Sequence, residues 1–156
     1  MTGPVLFCFD GSEGSARALT DGGALLARRV AVVLTAWETV ATQLSTSGFG
    51  FGYVPDESEL DSQQEGAARE AAKFGAITAE QHGWEATARV ANAPVCVWQT
   101  VVDVADEIDA SLIVCGARGR NAAKRALLGS VAEAVLHHSH RPTLIAPQPE
   151  DPNVPR

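Results

Sequence analysis

Along the chain, short apolar runs alternate with longer segments in which apolar residues recur every three or four positions. Val5–Phe9, Val30–Ala36, Trp84–Val90, Leu112–Cys115 and Thr143–Ala146 have the length and branched composition of strands. Most are apolar throughout, which fits strands covered on both faces by crossover helices, as in a parallel sheet. Trp84–Val90 differs, because Glu85, Thr87 and Arg89 alternate with Ala86, Ala88 and Val90, the pattern of an edge strand half open to water. Between the runs, Ser12–Arg29, Glu65–Gln81, Val97–Asp109 and Ser130–His138 read as helices. Val97, Val101, Val104, Ala105 and Ile108 fall on one face of the third. Gly22 and Gly23 weaken the first by up to about 1 kcal/mol each relative to alanine, and Pro142 stops the fourth. The order β-α-β-α-β-α-β-α-β predicts an α/β fold, a doubly wound five-stranded parallel sheet with helices on both faces.

The stretch Ala41–Ser62 follows neither period and is expected to be irregular. Its core, Gly48-Phe49-Gly50-Phe51-Gly52-Tyr53, suits a functional lid or a variable surface loop, and the usual behaviour of long loops favours the second. Asp56, Glu57, Glu59 and Asp61 read as a solvated helix entry. Four prolines in the last ten residues predict an extended tail over 148–156 behind a single domain over 1–147.

At 156 residues, one core accounts for the chain, and 46% hydrophobic with 20% charged residues fits a globular protein. No apolar run approaches the length of a bilayer span, and Met1 leads into Val5–Phe9 without a basic leader or cleavage site. The expectation is a soluble, cytoplasmic protein. A net charge of −7 and a pI near 5.0 argue against a polymeric nucleic-acid partner. Cys8, Cys96 and Cys115 form no CxxC pair and suit reduced, largely buried thiols. His137, His138 and His140, one and three residues apart, diverge near a helix end, so no metal site is expected there.

The informative segment is Cys115-Gly116-Ala117-Arg118-Gly119, followed nine residues later by Gly129-Ser130-Val131: a G-x2-G-x9-G-S pattern that begins where the fourth strand ends and closes where the fourth helix starts. Glycine lets backbone N–H groups approach a phosphate, and a helix start supplies free donors and partial positive charge. Arg118, Arg120, Lys124 and Arg125 make this the most basic stretch of an acidic chain. Two plainer readings compete. Ser130 and Glu133 have capping-box spacing, and Asp10, which ends the first strand before Gly11-Ser12, could be an ordinary helix-start aspartate. If strands one and four are neighbours at the point where crossovers diverge, however, Asp10 faces Gly116 and can accept hydrogen bonds from ribose hydroxyls.

Taken together, these residues resemble the universal stress protein family, specifically its ATP-binding branch. The resemblance runs over nearly the whole chain, including the ending Leu136-His137-His138-Ser139-His140-Arg141-Pro142-Thr143-Leu144-Ile145-Ala146. It implies strand order 3-2-1-4-5, which puts Trp84–Val90 at an edge. It assigns Asp10 to the ribose side, Ala36 and Cys115 to the adenine pocket, Gly116 and Gly119 to the loop under ribose and phosphates, and Gly129, Ser130 and Val131 to the phosphate chain. Cys8, where many relatives carry proline, joins this candidate set, and Phe9 is bulkier than usual before the aspartate. The resemblance further implies ATP, accompanied by Mg2+, and a homodimer formed through Thr143, Leu144, Ile145 and Ala146. It also implies a nucleotide-dependent regulatory role in stress response. The chain has no GxxxxGK[ST] loop and no positioned base, so it reads as a binding protein. The alternatives are a non-nucleotide interaction module using the 41–62 segment, and slow hydrolysis of bound ATP.

Overall fold

The computed structural model describes residues 3–27, 30–47, 56–119 and 128–147. Five strands form one all-parallel sheet: β1 (Val5–Cys8), β2 (Val30–Trp37), β3 (Glu85–Asn92), β4 (Leu112–Gly116) and β5 (Thr143–Ala146), in the order β3-β2-β1-β4-β5. This is the predicted doubly wound architecture, with β3 and β5 at the edges.

Alternation along the strands divides the core in two. Val5, Phe7, Phe9, Ala31, Val33 and Val114 face α1 (Glu13–Arg17) and α3 (Glu57–Gln81). Leu6, Leu34, Ile113 and Cys115 face α4 (Val97–Glu107) and α5 (Ser130–His138), which contribute Val101, Val104, Ala105 and Val135. The predicted apolar face of α4 is the face it buries. Arg141 ties the turn before β5 to the end of α4 through Asp106, Asp109 and the Ala110 carbonyl, at 2.9, 2.7 and 2.7 Å.

On the first face the helices lie close because they are smooth. α3 buries Ala68, Ala72, Gly75, Ala76 and Ala79. α1 passes into a π-helical turn, Ala18–Gly22. A Cβ on Gly22 would stand 3.2 Å from Leu144 Cδ2, and one on Gly23 would stand 3.2 Å from Trp84 Nε1. The two glycines that lower helix propensity are therefore the contact surface of the helix on the sheet. Trp84 precedes β3 rather than opening it. Its N–H donates to the Ala79 carbonyl, and its ring meets Phe7 edge-on at 5.1 Å.

The expectation of an irregular 41–62 segment is corrected at both ends. Val40–Ser47 is a helix, α2, and α3 begins at Glu57, eight residues before the expected Glu65. The cause is tertiary: Asp61 of α3 accepts from the Val40 N–H at 2.8 Å, capping α2 from 21 residues away, and Gln43 donates to Gln64 at 2.8 Å. The aromatic Gly48–Tyr53 core and the 148–156 tail lie outside the described residues. Among the described residues no helix is long and apolar enough to cross a membrane.

Two glycines of α3 should respond oppositely to substitution. A Cβ on Gly75 would meet Val33 Cγ1 at 2.8 Å and Phe9 at 3.0 Å, whereas one on Gly66 meets nothing within 4 Å. Gly75→Val is expected to cost about 1–3 kcal/mol through overpacking. Gly66→Ala should add roughly 0.5–1 kcal/mol through helix propensity. Urea unfolding midpoints of the two variants against the parent check both signs.

Candidate functional site

β1 and β4 are adjacent, yet the chain leaves β1 toward the α1 face and leaves β4 toward the α5 face. Such a switch opens a crevice outside the carboxyl ends of the two strands. β2 runs on beside β3 to Trp37 after β1 has ended. The end of β1 is pinned by two bonds to β2: the Phe9 N–H donates to the Leu34 carbonyl at 2.8 Å, and the Thr35 hydroxyl donates to the Phe9 carbonyl at 2.7 Å.

Asp10 enters the crevice from this pinned end, in a tight turn. Gly11 takes a left-handed φ of 79°, and the Ser12 N–H donates to Asp10 Oδ1 at 3.0 Å. Ser12 then caps α1 by accepting from the Ser15 N–H at 3.2 Å, while the Asp10 N–H donates to the Ser15 hydroxyl at 3.3 Å. Asp10 is thus partly the helix-start aspartate of the plainer reading, through Oδ1. Its other oxygen faces the glycine loop: a Cβ on Gly119 would lie 2.7 Å from Oδ2.

The loop is shaped by close approach rather than by unusual φ. A Cβ on Gly116 would stand 2.6 Å from the carbonyl carbon and oxygen of Gly14 and 3.0 Å from the Ser15 nitrogen. The Ala117 N–H donates to the Ala146 carbonyl at 2.8 Å, and the Gly129 N–H returns to the Ala117 carbonyl at 2.7 Å. The start of α5 is thereby drawn against the end of β4. Arg118 is partly buried in this loop, and Arg120, Lys124 and Arg125 lie outside the described residues.

The capping box of the plainer reading at Ser130 does not form. Gly129 is the N-cap, with φ −75° and ψ 153°, and its carbonyl accepts from the Glu133 N–H at 3.0 Å. Ser130 is the first helical residue and is exposed, and the N-cap, being a glycine, has no side chain with which to cap the helix. The first turn of this nine-residue helix starts at the carboxyl edge of the sheet, where its N–H groups favour an anion. Val131, beside them, is half-buried against the α4–α5 core.

The structure brings together Asp10, Gly116, Gly119 and Gly129, with Ser130 and Val131 on the first turn of α5. Cys8 and Cys115 lie beneath them on the α4–α5 face. Ala36 stands one strand away, beside Ala91 of β3 and on the same face as Leu34. Sequence reasoning passed over Gly14, Ser12, Ser15 and Thr35. The S-x-x-S spacing after Gly11 signals a cap, but nothing local shows that Gly14 must be bare to receive Gly116. No group of three or more metal-ligating side chains occurs among the described residues, and His138 stacks on Trp98 at 4.5 Å.

The Cys115 thiol hydrogen-bonds Cys8 and, with burial and the nearby Asp10 carboxylate, pushes the Cys8 thiol well above the ordinary thiol value of 9.0. The folded protein then holds Cys8 neutral where an unfolded chain would ionise it. That contribution to stability is complete below about pH 9 and is lost as pH rises through the higher folded value. Cys8→Ala should therefore lose less stability than the parent between about pH 7 and about pH 10, read as the change in urea midpoint; equal losses in the two proteins would refute the assignment.

An open parallel sheet with a glycine-walled crevice at its switch point defines a class of small α/β proteins. Residues 1–147 match the model of the universal stress protein family, and the chain belongs to that family. A universal stress protein of Methanocaldococcus jannaschii is 42% identical over 50 residues, 32% of this chain and 29% of that protein; the chain's alignment with such curated relatives spans less than a third of their length. Among solved structures, MJ0577, a protein whose biochemical function was assigned from its structure, superposes with a TM-score of 0.77 at 22% identity, over 97% of this chain and 99% of that one. A universal stress protein in complex with cAMP superposes with a TM-score of 0.58 at 24% identity, over 94% and 98% of the two chains. The Archaeoglobus fulgidus protein in complex with dAMP gives 0.56 at 20%, over 93% and 98%.

Proposed function

We propose that this protein binds an adenine nucleotide, ATP by preference, in the crevice between β1 and β4, and acts as a cytoplasmic, nucleotide-dependent regulator in stress response. The observation that carries the reading is the opposition of Asp10 Oδ2 to Gly119, with the start of α5, whose N-cap is the glycine Gly129, beside them. A carboxylate there can accept from ribose hydroxyls, while first-turn N–H groups and the Ser130 hydroxyl receive phosphate. Gly116 and Gly119 keep the loop low enough for ribose and phosphates to pass. Ala36, Cys8 and Cys115 supply the apolar side for adenine. The solved relatives carrying cAMP and dAMP support the adenine nucleotide, and the basic residues around Arg118 favour a triphosphate over a monophosphate. An accompanying Mg2+ would draw its ligands mainly from phosphate oxygens and water, since no ligand cluster is found among the described residues.

Thermal unfolding with and without Mg-ATP tests this. A ligand at 100 times its Kd stabilises by about 2.7 kcal/mol. Gly119→Val displaces only the far end of the Asp10 side chain, and the nearest atom to a Cβ on Gly129 is 3.4 Å away. Gly119→Val and Gly129→Val are therefore expected to fold and to lose the shift, as is Asp10→Ala. An unchanged shift in all three variants refutes the proposed site.

We further propose a homodimer joined through Thr143, Leu144, Ile145 and Ala146. β5 is an edge strand of only four residues, and its outer backbone groups would otherwise be left to water. Sedimentation equilibrium should give twice the chain mass at micromolar concentration; a monomer mass throughout rejects the dimer.

A further inference from the structure

Cys8 closes β1, and Cys115 lies one residue before the end of β4. The register pairs Val5 with Leu112, Leu6 with Ile113 and Phe7 with Val114, so the next row sets Cys8 beside Cys115. Both side chains belong to the face of Leu6 and Ile113, near enough for each thiol to feel the other. Neighbouring strands lie about 4.8 Å apart, inside the roughly 4.4–6.8 Å Cα separation that a disulfide spans. The strand spacing thus meets the Cα condition for a disulfide between them. The bond would lie two residues before Asp10 and one before Gly116, and so would fix the spacing of the two walls of the crevice.

We propose that Cys8 and Cys115 are an oxidisable dithiol whose disulfide joins β1 to β4 beneath the crevice, giving that site a redox input besides the nucleotide. The second half of this proposal rests on the nucleotide reading above. The oxidant is a peroxide. Cys8, half-buried where Cys115 is 3% exposed, reacts first, and slowly, through the small fraction that is ionised, because its surroundings hold the thiol neutral: the thiolate sulfur attacks one peroxide oxygen, the O–O bond breaks, and the departing hydroxide takes up the proton the thiol released, giving water and a sulfenic acid. The Cys115 sulfur then attacks the sulfenic sulfur and expels hydroxide, which takes the second thiol proton as a second water. The two sulfurs lose two electrons in all, and hydrogen peroxide gains them.

The test uses full-length Cys96→Ser protein, so that no third thiol is present. After hydrogen peroxide treatment its mass should fall by two hydrogens, and digestion without reductant should yield one linked pair of peptides carrying Cys8 and Cys115. An unchanged mass, or sulfinic acid on Cys8 with Cys115 still a free thiol, overturns the proposal. Mg-ATP is then added to the reduced and the oxidised protein, and the thermal shift of the reduced form is expected to fall by more than half on oxidation. Equal shifts in both states overturn the redox input. No shift in the reduced protein ends the nucleotide reading and the redox input with it, while the linked peptides would still establish the disulfide.

Discussion

The arrangement at the carboxyl edge depends on one steric condition: Gly116 at the end of β4 rests on the backbone of Gly14 in α1. A methyl group at position 116 would come within 2.6 Å of a backbone carbonyl, and a backbone cannot yield as a flexible side chain can. Because β1 and β4 are neighbours whose crossovers diverge, the start of α1 has nowhere to lie except against the end of β4. Pushing it away would carry with it the whole Asp10–Ser15 turn, whose internal hydrogen bonds make it a unit. The position of the carboxylate is thus tied to a contact at Gly14, about one turn further along the chain.

The same device recurs along that face of the sheet. Gly22, Gly23 and Gly75 meet Leu144, Trp84 and Val33 where larger residues would collide, and the buried positions of α3 are otherwise alanine. Bulk is carried by the strands and by Trp84, while the helices stay smooth and close. On the other face the helices themselves supply Val101, Val104 and Val135. Crowding is therefore concentrated on the face that carries α1, the helix entered from the Asp10 turn, which limits how far that turn can drift.

How much of this could be read from the chain follows the range of each cause. Strand identity and the burial of α4 are matters of local periodicity, and they emerge from the sequence nearly residue for residue. The entry to α3 and the whole of α2 do not, because Val40–Ser47 is rich in threonine and serine and residues 57–64 are mostly polar. What makes them helical is the pairing of Asp61 and Gln64 with Val40 and Gln43 across 21 residues. Ser130 and Glu133 show the reverse case, a sound local signal overruled because Gly129 is already held by the Ala117 carbonyl and takes the cap. The adjacency of Cys8 and Cys115 needs strand order and register together, and no pattern within either strand reveals it.

A carboxylate in a crevice proposed to receive phosphates looks self-defeating in a chain of net charge −7. The polarity of the crevice resolves this. Asp10 belongs to the β1 wall, whereas the start of α5 and Arg118 belong to the β4 side. Two like charges about 4 Å apart near a protein surface repel by roughly 4 kcal/mol, several hundredfold in relative population. A nucleotide entering with its phosphates toward Asp10 would meet that repulsion and leave the α5 donors unused, while the opposite orientation sets a ribose hydroxyl against the carboxylate and phosphate against the helix start. In the proposed site the carboxylate would therefore do more than hold the ribose: by its charge it would exclude the reversed pose, so that one end of the crevice would select the sugar by hydrogen bonding and, by the same group, send the phosphates to the other.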